Sequence, residues 1–212
     1  MLNFIFSWLM FAQFSTRTYT YMPSAHVLAV KTMSLDNRYP EQSVNEIFKE
    51  NILLTTAYMR GEKRTGAIDS SSIDKPFHYE ITLHKGEVFA FHDDVLPKYS
   101  GRVVATTHAH FNAKEGFKSD GYLTGDGVCH LASLIDFAAQ SAGLNVFAPI
   151  SHDFANIPDV PKEYGVAIYN VPSEPMVNAQ HNLYVTNTLS QDITMVFDYH
   201  NSMLKVSIVK QT

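Results

Sequence analysis

The chain has 212 residues, 45% of them apolar, which is enough to bury a sizeable core and argues against disorder. Its 16 Lys and Arg residues are scattered and outnumbered by 21 Asp and Glu residues, so the formal charge is −5 and we expect no nucleic-acid partner. A single cysteine excludes any disulfide within the chain.

The chain begins with an apolar run over residues 2–12 that has the length of a signal-peptide core and is too short to span a bilayer. No basic residues precede it, and the nearest small-residue cleavage sequence, Val27-Leu28-Ala29, lies well downstream. We interpret residues 1–30 as an apolar leader, which predicts an exported or envelope-associated protein that meets a membrane only through this leader. The alternative is an amphipathic or packed N-terminal segment.

Two segments have the apolar periodicity of helices. The first runs from Ser43 to Arg60, between Pro40 and Gly61, and a polar run up to residue 74 follows it as a surface loop. The second begins at Cys129 and stops at Gly143. Its apolar residues recur at three- and four-residue spacing and form one stripe: Leu131, Leu134, Ile135, Ala138 and Ala142.

Strands are predicted at residues 78–83, 101–106, 144–150, 166–169, 182–186, 193–199 and 203–209. The last two form a hairpin across His200-Asn201-Ser202. Because most strands follow one central helix, we predict a single α+β domain in which the cysteine-bearing helix packs on a mainly antiparallel sheet.

The only cysteine, Cys129, follows the turn Gly125-Asp126-Gly127 at the start of the second helix. Backbone N–H groups and the helix dipole stabilise a thiolate there, and glycines let the backbone approach a substrate closely, so Cys129 is a candidate nucleophile. The helical period places the thiol on the polar face, which is either a cleft or a solvated surface; the alternative is a buried core thiol. The other residues of this face are Ser133, Asp136 and Gln140.

A histidine follows the next predicted strand. That strand, residues 144–150, leads to His152, and a helix with cysteine followed by a strand with histidine is the order of papain-like and transglutaminase-like thiol enzymes. We therefore predict a catalytic pair of Cys129 and His152, with backbone N–H groups of residues 128–130 as oxyanion donors. Asp153 and Asp159 are candidates to orient the imidazole, or are surface carboxylates.

Residues 125–133, Gly-Asp-Gly-Val-Cys-His-Leu-Ala-Ser, with residues 138–144 and His152, resemble the VanW domain. The motif of that family is Gly-Gly-Gly-Val-Cys-Gln-Val-Ser-Thr, then a helix ending in Ala-Gly-Leu, then a histidine. Residues 86–92, Gly121-Tyr122 and residues 182–187 resemble further segments of the family. The resemblance covers about residues 44–209 and implies a VanW-like domain over residues 41–210.

The sequence also departs from the family. Asp126 replaces a glycine, His130 replaces a glutamine, and an aspartate of the family is missing within residues 163–167. VanW domains occur in bacterial cell-envelope proteins and beside glycopeptide-resistance genes, so the resemblance implies an envelope location, without a settled reaction. Candidate substrate-binding residues around Cys129 are Gly125, Gly127, His130 and Tyr122.

Histidines and aromatic residues offer further possibilities. His108 and His110 would share one face of a strand, as a zinc or copper site requires, but no third ligand follows at a typical spacing, and we predict no metal or cofactor. Residues 111–124 are predicted to form a mobile loop beside the thiol. The aromatic residues of this region either line a groove for a peptide or sugar or belong to the core: Tyr99, Phe111, Phe117 and Tyr122.

Two functions remain open. In the first, the protein is a thiol-dependent acyltransferase or hydrolase, in which Cys129 attacks an envelope peptide or amide and His152 moves the proton. In the second, it is a non-catalytic module that binds a cell-wall peptide or glycan. The missing aspartate favours the second function, and the polar-face position of Cys129 favours the first.

Overall fold

The computed structural model describes residues 26–62, 68–121 and 124–210. Within them, the helices are α1 (Gln42–Met59), α2 (Ser70–Ile73), α3 (Val128–Ser141) and α4 (Pro175–Gln180). The strands are β1 (His26–Ser34), β2 (Phe77–Leu83), β3 (Val88–Ala90), β4 (Val103–Ala105), β5 (Asn145–Phe147), β6 (Tyr184–Thr186), β7 (Ile193–His200) and β8 (Met203–Lys210). Together they form a single α+β domain, which confirms the predicted fold class.

The strands form two sheets. The larger has the order β1-β8-β7-β2 and is antiparallel at every pairing. The smaller has the order β4-β3-β6-β5, in which only β3 and β4 pair in parallel. Helix α3 packs on β1 and β8, and α1 packs against α3. The cysteine-bearing helix therefore lies on a mainly antiparallel sheet, as predicted.

Local sequence signals predict two elements well. Helix α3 ends where Gly143 takes a φ of 78°, and its apolar stripe is buried in the main core. Strands β7 and β8 form the expected hairpin, and its turn residues Asn201 and Ser202 have φ values of 50° and 57°. Two successive left-handed residues give a turn whose twist matches that of the strands it joins.

The polar face of α3 is largely covered. Ser133 and Asp136 are buried, and Gln140 is exposed. The chain around residues 165–168 lies across the part of this face that contains Cys129 and Ser133. Val166 donates its N–H to Ser133 Oγ at 2.9 Å, and Ile168 donates to Cys129 Sγ at 3.4 Å. The predicted strand at 166–169 is wrong for this reason: α3 side chains accept the N–H groups of Val166 and Ile168, and only an isolated bridge joins Val166 to Ser151. The N–H groups of Ala167 and Tyr169 donate to the carbonyls of Ile150 and His181.

Some boundaries also differ. Residues 26–30, the end of the expected leader, form the first half of β1 and pair with β8. Strand β5 is limited to Asn145–Phe147, so that His152 lies in irregular chain and not at a strand end. Residues 1–25 of the expected leader lie outside the described residues. No helix within the described ranges is both long and apolar enough to cross a membrane.

Replacement of Gly127 by Ala should destabilise the protein strongly. Gly127 has a φ of 97°, and an added Cβ would lie 2.7 Å from the backbone oxygen of Phe48 in α1. We expect a loss of roughly 3 kcal/mol, from left-handed strain plus the clash with backbone. The matched control is Gly143→Ala, where φ is 78° and nothing lies within 4 Å. Urea unfolding should show a smaller loss there, about 1–2 kcal/mol, and equal losses would contradict the clash.

Asp136 should make stability depend on pH. Burial raises the pKa of its carboxyl to about 6, although Gln140 donates to it at 2.6 Å. An unfolded aspartate titrates near 3.9, so the folded state binds the extra proton between about pH 4 and 6, and stability falls as pH rises through that window. We expect Asp136→Asn to stabilise the protein by on the order of 2 kcal/mol at pH 8 and little at pH 4.

The measurement is urea unfolding at both pH values, with Asp153→Asn at an exposed position as the control. An unchanged pH slope in Asp136→Asn would mean that this carboxyl does not carry the effect.

Candidate functional site

A cavity of about 120 Å³ lies at the N-terminus of α3. Five of the six predicted site residues line it: Gly125, Gly127, Cys129, His130 and His152. Tyr122, the sixth, lies outside the described residues. The structure thus brings the motif residues together at one concave site.

Most of the remaining wall comes from residues that the sequence analysis did not select; Phe111, predicted to line a groove or belong to the core, is an exception. Phe48 of α1, Phe111 and Ile168 form part of the lining, and Phe154 and Tyr169 lie at the rim with 76% and 45% of their surfaces exposed. These residues are far apart in sequence. No local pattern marks them, because they meet only through the packing of α1 and the 165–170 segment on α3.

The glycines of the turn are explained by the packing of the chain on itself. Gly125 has a φ of 95°, and an added Cβ would lie 2.9 Å from the Cβ of Phe111. Asn51 of α1 fixes the same turn, because its amide donates to the carbonyls of Lys118 and Asp126 at 3.0 and 2.9 Å. The sequence analysis did not identify Asn51. Its only signal in the sequence was a polar amide directly before the apolar run 52–54 of a predicted helix.

The thiol of Cys129 is engaged with the protein backbone. Sγ donates to the carbonyl of Ile168 at 3.6 Å and accepts the N–H of the same residue at 3.4 Å. Burial raises the pKa of the thiol to about 11, so it is protonated at neutral pH. The positive end of the helix dipole does not offset this desolvation. In this state the thiol fastens the 165–168 segment to α3.

Two of the three expected oxyanion donors are also engaged. The N–H of Val128 donates to the carbonyl of Gly125 at 3.1 Å, and that of His130 donates to the carbonyl of Gly127 at 2.9 Å. Both bonds join residues three positions apart at the start of the helix. An oxyanion hole built from these two groups is therefore not preformed.

Two imidazoles that line the cavity each have one ring nitrogen without a hydrogen-bond partner among the described residues. His130 and His152 are each 5% exposed, and their Nδ1 atoms have no hydrogen-bond partner within the described part of the chain. Their ring centroids are 6.2 Å apart at an interplanar angle of 86°. Phe48 packs on His130 at 5.1 Å and Phe154 on His152 at 4.0 Å, measured between ring centroids.

Both histidines are neutral at pH 7. Burial, with the charges of Arg38 and His152, lowers the pKa of His130 to about 3, and burial lowers the pKa of His152. The described residues include no hydrogen bond between Cys129 Sγ and either imidazole. The predicted pair shares one cavity, but its two members do not touch in this state.

Neither predicted acid orients His152. Asp159 accepts hydrogen bonds from the Arg38 guanidinium and from the N–H of Ser34, so it belongs to an ion pair with a buried arginine and does not contact His152. Asp153 acts on His152 only through its charge. The backbone positions His152: its N–H donates to the carbonyl of Gly165 at 3.0 Å, and a Cβ on Gly165 would lie 2.5 Å from the His152 oxygen.

The other predictions near the site have different outcomes. His108 and His110 do not share a strand face, because His108 has a φ of 58° and each ring pairs with a different carboxylate, Asp93 and Glu115. Within the described ranges no cluster of three metal-ligating side chains occurs. Phe111 and Phe117 pack edge to face at 5.5 Å in the core, so this part of the 111–124 loop is anchored. Tyr99 is buried elsewhere, against Tyr184.

Comparison of the chain with protein-family models, with curated proteins and with solved structures finds no match. The VanW resemblance therefore stays a prediction from the residues that carry it. Function has to be argued from the geometry of the cavity.

Cys129 should react slowly with alkylating reagents in the folded protein. With a pKa of about 11 it is on the order of a hundredfold less ionised at pH 8 than an ordinary cysteine near 8.5. We expect the rate of iodoacetamide labelling to rise with pH up to about 10 without a plateau, and to be unaffected by His152→Ala. Mass spectrometry of the intact protein measures the labelling rate, with urea-unfolded protein as the reference for an accessible thiol.

A plateau below pH 8 that moves upward in His152→Ala would contradict this expectation and establish a reactive Cys–His pair.

Proposed function

We propose that the protein is a VanW-like, envelope-associated module that binds a cell-wall peptide or glycan without transforming it, and that the cavity at the start of α3 is its binding site. The observation that carries the proposal is the state of Cys129. Its thiol is protonated and makes two contacts with the backbone of Ile168. A nucleophile needs the opposite: a thiolate with a base in reach.

The shape of the site supports recognition of the end of a larger ligand. Its volume of about 120 Å³ is well below the 300–1,000 Å³ of a pocket that encloses a whole small molecule. The exposed rings of Phe154 and Tyr169 flank the opening. Aromatic faces at such a rim offer apolar contact area to a sugar ring or a peptide side chain.

The chemical class of the ligand rests on the sequence. The apolar run at residues 2–12 favours export, and the resemblance of residues 125–133 to the VanW motif favours an envelope setting. In that setting the abundant ligands with both peptide and sugar parts are fragments of the cell wall.

Soluble muropeptides test this proposal. We expect titration of the protein with a disaccharide–pentapeptide to shift the amide NMR signals of residues 125–130 and 168–170 in a saturable way. Phe154→Ala should weaken binding by roughly tenfold, the effect of losing about 1.4 kcal/mol at the rim, and should leave stability almost unchanged because the ring is 76% exposed.

Val104→Ala is the matched control, since Val104 is 50% exposed on β4 and does not line the cavity. Absence of saturable shifts, or equal weakening by both variants, would overturn the proposal.

A thiol enzyme is the second candidate, favoured by the shared cavity of Cys129 and His152. In that reaction Cys129 would attack a carbonyl carbon as His152 takes the thiol proton, and the imidazolium would then protonate the leaving amine. The Ile168 backbone would first have to release Sγ. The alkylation experiment above separates the two candidates.

A further inference from the structure

Unpartnered polar atoms are concentrated behind one wall of the cavity. In the described part of the chain, the buried side-chain nitrogens and oxygens without a partner are His130 Nδ1, His152 Nδ1 and Arg38 Nε. A buried polar atom without a hydrogen bond costs roughly 1–3 kcal/mol, so such atoms are rare and mark places where a ligand or water completes the structure. Two of the three belong to residues that line the cavity.

The rings of His130 and His152 line the cavity, although their free Nδ1 atoms are buried, so a turn of either ring about its Cβ–Cγ bond would bring a donor to face it. Nearby charges add positive potential. Arg38 lies close enough to His130 for its charge to lower the pKa of the imidazole. The N-terminus of α3 points its partial positive charge at the same space, and Gly127 supplies no side-chain cap. Cys129 adds no negative charge, because its thiol is protonated.

Negative groups nearby only partly oppose this potential. Asp126 lines the cavity, but burial raises the pKa of its carboxyl, and its Oδ2 already accepts the N–H of Asp120. Asp159 forms an ion pair with Arg38 near the end of β1, where its carboxylate also accepts the N–H of Ser34. Asp153 is exposed beside His152. No described carboxylate satisfies either free Nδ1.

We propose that this cavity binds the terminal carboxylate of a peptide, with His130 and His152 as its hydrogen-bond donors. The inference rests on the proposed binding function and names the group that the site recognises. A cavity of about 120 Å³ holds a few water molecules, and therefore a carboxylate with its neighbouring carbon. An anion is also the ligand that a helix N-terminus favours.

Binding of the carboxylate takes up a proton. Both imidazoles are neutral in the free protein, and a carboxylate in contact stabilises the imidazolium and raises its pKa. Affinity therefore increases as pH falls below the raised pKa and is independent of pH above it. A terminal carboxyl, with a pKa near 3.5, stays ionised throughout a range of about pH 5 to 8.

Acetate and acetamide are the first probes, because they have nearly the same shape and differ in charge. We expect acetate, and not acetamide or equimolar chloride, to shift the ¹³Cε1 signals of His130 and His152. N-acetyl-dialanine and its C-terminal amide then test a peptide terminus. The acid should bind roughly threefold or more tightly at pH 5.5 than at pH 7.5, and calorimetry in two buffers should show proton uptake.

His152→Gln keeps a polar side chain and cannot titrate, so it should abolish most of the proton uptake. His110→Gln is the matched control, since that ring is 51% exposed and pairs with Glu115 outside the cavity. Thermal unfolding checks that both variants fold. The ring signals of the unmodified protein report the same ionisation if His152→Gln does not fold.

The outcomes separate the two proposals. Equal binding of acid and amide at the cavity, or binding without proton uptake, overturns the carboxylate inference and leaves the binding module standing. Absence of binding by the acid, the amide and the disaccharide–pentapeptide overturns both. If acetate shifts the histidine signals but the peptide acid does not bind, the assignment of the carboxylate to a peptide end is overturned.

Discussion

The contact between residues 165–168 and the polar face of α3 determines the rest of the site. Two helix positions one turn apart, Cys129 and Ser133, accept N–H groups that a neighbouring strand would accept in a sheet. Burial at this contact raises the pKa of the thiol to about 11, although the hydrogen bond with the Ile168 backbone acts in the opposite direction. Through Gly165, whose carbonyl accepts the His152 N–H, the contact also places the histidine beside the cavity. The polar face of α3 thus accepts hydrogen bonds that the edge of a strand would accept in a sheet.

The thiol and the two imidazoles of this site are uncharged at neutral pH, and this determines what the site can do chemically. Cys129 is protonated, both histidines are neutral, and burial raises the pKa of Asp126. A group that loses its hydration without gaining an ionic partner becomes neutral, because the charged form is the one that water stabilises. An ion pair of thiolate and imidazolium would reverse this at two neighbouring positions. That reversal requires Sγ to leave its two hydrogen bonds with the Ile168 backbone and to gain an ionic partner.

The sequence predicts the elements whose signals are local. Helix α3, its glycine stop and the β7–β8 hairpin follow from apolar spacing and turn residues within a few positions. The strand at 166–169 fails because its β-branched residues are buried by a helix and not by a sheet. The periodicity of α3 correctly separates Cys129 from the apolar stripe, but a helical wheel contains no information about what covers the other face.

The same limit applies to the site itself. Gly125, Cys129, His130 and His152 are predicted because they lie within one stretch of about thirty residues, and all line the cavity. Phe48, Asn51 and Arg38 come from the region before and within α1, and only tertiary packing brings them to it. A glycine in a sequence can indicate that either a ligand or another part of the chain approaches the backbone closely. Phe48 and Phe111, which occupy the space of the missing Cβ atoms, decide for the second.

A binding site and a latent thiol enzyme differ here by one movement. If residues 165–168 stay on α3, the thiol is a hydrogen-bonding group in a wall and the histidines supply the donors. If they lift, Sγ loses both of its partners in the wall of the cavity that it shares with His152. Such a movement would also break the hydrogen bond between Val166 and the Ser133 hydroxyl, and would release the backbone that positions His152. The movement that frees the nucleophile therefore displaces its base, which is why the closed state is the functional one in our proposal.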